Sequence, residues 1–180
     1  FAEGVHERLG LWPEVLTGAE EAALAFDGAV RNLDAAPVDP VLVVDIGGGS
    51  TELILAEGLP VPTPTAADSM DIGAVRLHER LLHGDPATPA QVAACVAEIE
   101  AALDSGSVDL AQAAHVVAVA GTAITVASGV LGLGAYDPGR TDQAVVDVAA
   151  VHDYIARLVG LTVAERLALP YMHPGRADVI

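Results

Sequence analysis

The chain contains no lysine: all eight of its basic residues are arginine, set against 25 acidic residues, for a formal charge of −17. A phosphate loop of the GxxxxGK[ST] kind therefore cannot exist in it, which removes the commonest nucleotide-binding loop. The charge also disfavours nucleic acid as a partner, because neutralisation of phosphates by Lys and Arg supplies most of that affinity. Cysteine is nearly absent: Cys95 cannot pair within the chain, and it lies in the apolar-periodic run Gln91 to Leu103, where it reads as a small core residue. Long apolar runs are missing as well. No stretch of about 18 residues lacks a charge, Pro or Gly, and the opening Phe1-Ala2-Glu3-Gly4 has neither a basic leader nor an apolar signal core, so no membrane segment and a soluble, cytoplasmic location are expected. The six histidines show no HxH or HExxH spacing, which argues against zinc.

What is present is 180 residues with 52% hydrophobic content, enough for one core and a single lobe. Phe1 to Leu9 reads as the end of a helix stopped at Gly10, with Pro13 to Leu16 short and extended. From Ala19 to Leu33 apolar residues recur at helical spacing, with Glu20 and Glu21 in the first turn where the dipole favours acids. Asp34 to Pro40 reads as a loop. Val41 to Val44 is a buried strand, broken by Asp45-Ile46-Gly47-Gly48-Gly49-Ser50, and Thr51 to Ala56 is a second strand too near to be anything but its antiparallel hairpin partner. Leu59 to Thr65 predicts an edge strand, since its prolines remove ladder donors. Helices follow at Asp71 to Leu82 and Pro89 to Leu103, divided by His83-Gly84-Asp85-Pro86. A strand at His115 to Val119 runs through Gly121-Thr122 into a helix at Ala123 to Leu131, and helical patterns at Val145 to Val159 and Val163 to Leu169 complete the chain.

Three segments could carry chemistry. In Asp45 to Glu52, three glycines let the backbone approach an anion and aim N–H groups at it, while the flanking acids suit Mg²⁺ or a water beside a phosphate. The same string is also an ordinary glycine-rich hairpin with Asp45 in the turn. Gly121-Thr122 opens a helix, where free N–H groups favour an anion; close strand-to-helix packing with a Thr cap is the alternative. Glu20-Glu21, after Thr17-Gly18, offers a general base or simply a favourable dipole arrangement.

Strand, Asp, glycine-rich hairpin, strand, and later strand, Gly-Thr, helix, taken together resemble the second half of the actin-like ATPase fold: an α/β lobe with a mixed central sheet and flanking helices. The order Thr17-Gly18-Ala19-Glu20-Glu21-Ala22, then Val43-Val44-Asp45-Ile46-Gly47-Gly48-Gly49-Ser50-Thr51-Glu52-Leu53, resembles the exopolyphosphatase and guanosine pentaphosphate phosphohydrolase family. Asp71-Ile72-Gly73-Ala74-Val75-Arg76-Leu77, Val119-Ala120-Gly121-Thr122-Ala123 and Pro174-Gly175-Arg176-Ala177-Asp178-Val179-Ile180 extend the resemblance over nearly the whole chain. It implies metal-assisted attack of water on a terminal phosphoanhydride, with Glu21 as catalytic base and Asp45 and Glu52 as ligands of Mg²⁺ or another divalent cation. Gly47, Gly48, Gly49, Ser50 and Thr51, with Gly121 and Thr122, are the implied phosphate-binding residues. The implied substrate is polyphosphate or a guanosine penta- or tetraphosphate.

The resemblance also sets expectations about organisation. Residues 1–25 correspond to the tail of the first lobe and residues 26–180 to the second. The Asp-x-Gly-x-Asn-Ser hairpin of the first lobe has no counterpart, so the chain is expected to be a fragment whose partner is the missing N-terminal lobe, inactive by itself. It stops at Ile180 before the helix that closes the second lobe. An exposed inter-lobe face leaves a homodimer open. Ala23 stands where the family has Arg after Glu-Glu-Ala. Because −17 repels a polyanion, binding is expected to rest on metal ions, backbone N–H groups and cations of the other lobe, with Arg76, Arg140 and Arg176 as local candidates. Two rival readings remain: a polyphosphate or alarmone sensor without turnover, and a sugar or acyl kinase of the same superfold.

Overall fold

The computed structural model describes residues 1–30, 33, 39–57 and 63–180. Helix α1 (Ala2–Leu9) ends at Gly10, whose left-handed backbone supplies the stop, and buries none of its residues. Helix α2 (Gly18–Val30) follows, then strands β1 (Val41–Ile46), β2 (Thr51–Glu57) and β3 (Thr63–Met70). Helices α3 (Ala74–Leu81) and α4 (Pro89–Ser105) lead to β4 (His115–Val119). Helices α5 (Ala120–Val130), α6 (Pro138–Thr141), α7 (Val148–Val159) and α8 (Val163–Leu167) complete the chain. Among the described residues no helix is long and apolar enough to cross a membrane.

The four strands form one mixed sheet in the order β3-β2-β1-β4. The β1–β2 hairpin is antiparallel, with Asp45 opposite Glu52 and Ile46 opposite Thr51. β4 pairs parallel to β1, bringing Val119 opposite Asp45. The edge strand lies later than the pattern predicted: it runs Thr63–Met70, and the earlier part of the expected Leu59 to Thr65 strand falls outside the described residues, as does most of the predicted Asp34 to Pro40 loop. Polar Asp68 and Ser69 hid this strand, because an edge strand with polar side chains lacks the apolar alternation that marks a half-buried one.

Period-2 alternation divides the core. On one face Val41, Val43, Ile54 and Ala56 pack against Phe26 and Val30 of α2. On the other, Leu42, Leu53 and Leu55 pack with Val108 and, toward α4, Leu103. Thr88 and Gln91 form a reciprocal capping box at the start of α4, and Thr162 and Glu165 form another at α8, each satisfying N–H groups that a helix start leaves open. A third cluster joins α7 to the C-terminal segment through Tyr154, Leu158, Met172 and Ala177, with Val126 and Val130 of α5 against it. Gly129 leaves the space that the Tyr154 ring occupies, and the Tyr154 and Tyr171 hydroxyls share a hydrogen bond. This cluster fixes residues 171–180 over the start of α5.

Candidate functional site

The hairpin turn closes with the Gly47 N–H donating to the Ser50 carbonyl at 3.0 Å. The carbonyls of the turn are then taken up by the entry to α3. Ala74 N–H donates to Gly47 O at 2.9 Å, Arg76 N–H to Gly48 O at 3.1 Å and Gly73 N–H to Gly49 O at 3.3 Å. These are the N–H groups that a helix start leaves without intrahelical partners. Among the described residues, the N–H groups of Gly48, Gly49 and Ser50 have no acceptor. A turn whose acceptors are satisfied and whose donors are not is polarised toward an anion. Gly73 allows this packing: a Cβ there would lie 2.5 Å from the backbone of Gly48 and Gly49.

Thr51, predicted as part of the cradle, is buried, and its hydroxyl donates to the Ile72 carbonyl at 3.2 Å. Its side chain thus anchors the turn from the apolar face. Arg76 is also committed: Nε donates to Gly49 O at 2.8 Å and the guanidinium pairs with Asp71 at 3.1 Å. Arg140 sits on the exposed short helix α6, outside the cleft.

Arg176 does enter the site. The cleft is lined by Gly47 and Gly48 of the turn, Gly121 and Thr122 of α5, and Arg176 with Val179 and Ile180. Both the turn and the start of α5 lie beyond the carboxyl ends of the parallel strands β1 and β4, where ligands of open α/β sheets bind. Ala120 takes a left-handed backbone, φ 64°, at the corner where β4 becomes α5. The Arg176 guanidinium rests directly on Gly121, where a Cβ would fall 1.2 Å from Nη1. A cation against a helix N-terminus meets charge of its own sign, and Arg176 has no acidic partner among the described residues. An anion in the cleft would satisfy both.

Asp45 and Glu52 continue the alternation of Val41, Val43 and of Ala56, Ile54, so their side chains project on the α2 face. Glu52 is 2% exposed and accepts a 2.8 Å hydrogen bond from the Ser69 hydroxyl. Burial, then the nearby charge of Glu52, push the Asp45 carboxyl above its ordinary range. Two adjoining carboxylates on one face provide hard oxygen donors and a deficit of positive charge, which suits a divalent cation that keeps several waters and phosphate oxygens as its other ligands. Among the described residues no group of three or more His, Cys, Asp or Glu side chains is placed to hold a metal ion, so a cation at Asp45 and Glu52 would take its remaining ligands from water and phosphate.

The Glu20-Glu21 pair is divided by geometry. Glu20 closes a capping box: its carboxylate accepts from Thr17 N at 2.8 Å and Thr17 Oγ1 at 2.9 Å, and those bonds hold its pKa below the usual value. Glu21 is exposed on the same turn, and its carboxylate has no partner among the described residues. Sequence reasoning treats the pair as equivalent in environment; the Thr17-x-x-Glu20 spacing is the available signal that one of them is a cap. It also passes over Ser69 and the packing of Gly73 against the turn, both of which depend on neighbours distant in sequence.

A mixed α/β sheet with a glycine hairpin after its first strand and a strand-to-helix Gly-Thr corner beside it has the lobe architecture of the actin-like ATPase class. The Ppx/GppA phosphatase family profile matches residues 1–180, and the chain belongs to that family. It is 44% identical over 169 residues to exopolyphosphatase 2 of Mycobacterium tuberculosis, covering 93% of this chain and 51% of that protein. It is 42% identical over 66 residues to the guanosine-5′-triphosphate,3′-diphosphate pyrophosphatase of Vibrio campbellii, 37% of this chain and 13% of that protein. Its backbone superposes on the crystal structure of an exopolyphosphatase-like protein with a TM-score of 0.92 at 36% identity, covering 99% of this chain and 57% of the other. The chain thus spans about half the length of its relatives.

Proposed function

We propose that the complete protein is an exopolyphosphatase that releases the terminal phosphate of inorganic polyphosphate, with residues 1–25 as the tail of a first lobe and residues 26–180 as the second. The observation that carries this reading is the cleft where Gly48 of the hairpin turn, whose N–H has no acceptor among the described residues, meets the start of α5 and Arg176, unpaired among the described residues. Phosphoryl transfer needs positioning and charge neutralisation more than covalent help, and these groups supply both.

In this mechanism the turn N–H groups and Arg176 hold the phosphate oxygens, and Gly121 and Thr122 receive the neighbouring phosphate. Water attacks the terminal phosphorus in line with the bridging oxygen, whose bond to phosphorus breaks. Glu21 takes the proton of the attacking water, and the products are orthophosphate and a chain one unit shorter. Asp45 and Glu52 would hold a divalent cation such as Mg²⁺, which supplies charge neutralisation on the phosphate oxygens when bound. The first lobe would provide the opposite wall and further cations, in a cytoplasmic enzyme.

Hydrolysis of the 5′ phosphate of guanosine pentaphosphate uses the same groups, and the similarity to the Vibrio pyrophosphatase supports it as the second reading. The test is phosphate release by the complete protein from polyphosphate and from guanosine pentaphosphate, with and without Mg²⁺, beside Glu21→Gln. A general base is worth about 10²–10⁴-fold, so release should fall by that order while binding persists. Binding without release by the parent would convert the reading to a sensor.

A further inference from the structure

We infer that Arg166, which lies outside the cleft lining, is a positioning residue for the anion site: from inside the fold it holds the wall that carries Arg176 and adds positive charge behind it. The inference rests on the reading of the cleft as a phosphate site. Arg166 belongs to α8 and is only 9% exposed. Its Nε has no hydrogen-bond acceptor, and it has no acidic partner among the described residues. The adjacent Glu165 is turned outward, where its carboxylate accepts from Thr162. A buried guanidinium without a counter-charge opposes folding, and an apolar side chain of similar length would remove that cost. That cost is set against what its hydrogen bonds hold in place.

The hydrogen bonds supply the role. Arg166 Nη1 donates to the Ile180 carbonyl at 2.5 Å. The Ile180 N–H in turn donates to the Arg176 carbonyl at 3.0 Å, joined there by the Val179 N–H at 3.1 Å. Val179, Ile180 and Arg176 are all cleft-lining residues. A continuous chain of hydrogen bonds thus runs from the buried guanidinium, through the wall, to the residue whose own guanidinium lies on Gly121. In a chain of −17, a buried cation with no acidic partner among the described residues also offsets the repulsion an incoming polyanion meets.

The experiment is calorimetric binding of tripolyphosphate to the complete protein, in the parent, Arg166→Met, Arg166→Lys, Arg176→Met and the Arg166→Met/Arg176→Met double variant. Arg166→Met should weaken binding about 5–10-fold, and Arg166→Lys, which keeps the charge but not the planar fork, about 2–3-fold. Without Arg176, the further loss from Arg166→Met should be less than about twofold, because residues that act through one another are not additive. Parent-like affinity in Arg166→Met, even with a lowered Tm, would make the residue merely structural and overturn the inference; so would full additivity with Arg176→Met. Should Arg166→Met not fold, Arg166→Lys carries the test, and unchanged affinity in it has the same force. A parent that binds no tripolyphosphate would overturn the phosphate reading itself, and this inference with it, whereas a parent that binds normally isolates Arg166.

Discussion

On the α2 face of the hairpin, the side chains run from apolar core into two carboxylates: Val41, Val43, Asp45 on one strand and Ala56, Ile54, Glu52 on the other. On the opposite face Leu42, Val44 and Ile46 lie beside Leu55, Leu53 and Thr51, and an almost wholly apolar cavity of about 330 Å³ lies between Val44, Ile46, Leu53 and Thr51 and Leu77, Cys95 and Ile99. The two faces differ by one residue of register, yet one holds the candidate chemistry and the other holds the turn in place. Thr51, Ile72 and Gly73 belong to the holding side. Because parity separates the tasks, the acids can sit close together without loosening the turn that must present its N–H groups.

That division is tested most severely at Gly73. An added Cβ meets backbone 2.5 Å away, which cannot swing aside as a side chain can. Gly73→Ala should cost about 1–3 kcal/mol, the range for overpacking, and should abolish tripolyphosphate binding by displacing the turn; thermal melts and calorimetry read the two effects. Next comes Thr51→Val, which keeps the shape and removes the hydroxyl that the Ile72 carbonyl accepts from. A buried acceptor left unpaired costs about 1–3 kcal/mol, and denaturant titration should find a loss toward the lower end, with binding weakened less than in Gly73→Ala.

The acidic face should respond in the opposite direction. Burial and Glu52 raise the Asp45 pKa, so the folded state prefers the protonated form and loses stability as pH rises from the ordinary aspartate value through the raised one. Asp45→Asn removes that penalty. In the absence of divalent cations its Tm should exceed the parent's at pH 7, and the gap should close as pH falls toward the ordinary aspartate range. Mg²⁺ should raise the Tm of the parent and leave Asp45→Asn unmoved. A variant less stable than the parent in chelator at pH 7 would show that Asp45 supports the fold rather than straining it.

Much of this division is legible in the sequence. Alternation in Val41 to Val44 and Thr51 to Ala56, with glycines between, is local, so the hairpin and the acids at its ends can be read directly, and the strand that becomes β4 follows from the apolar run before Gly121-Thr122. The start of the next helix is harder: α5 begins at Ala120, three residues before its apolar pattern, because a left-handed residue rather than a polar cap makes the corner. The holding side is illegible. That Gly73 lies against the turn, that Arg76 is consumed by Asp71 and Gly49 while Arg176 is not, and that Arg166 is buried all depend on packing between segments far apart in the chain. No periodicity encodes them.

The smallest expected change in stability separates the two kinds of glycine. Gly121, like Gly73, has no room for a Cβ, but its obstacle is the Arg176 guanidinium, the far end of a flexible side chain. Gly121 has an ordinary helical backbone, so alanine there gains up to about 1 kcal/mol of helix propensity. That gain offsets the cost of pushing the guanidinium off the helix. Gly121→Ala should therefore leave Tm within about 2 °C of the parent, a net effect below about 0.5 kcal/mol, and still weaken tripolyphosphate binding about tenfold through the displaced cation. Unchanged affinity with unchanged stability would mean that Arg176 reaches no ligand from its place on α5, and the cleft's anion site would then reduce to the hairpin N–H groups alone.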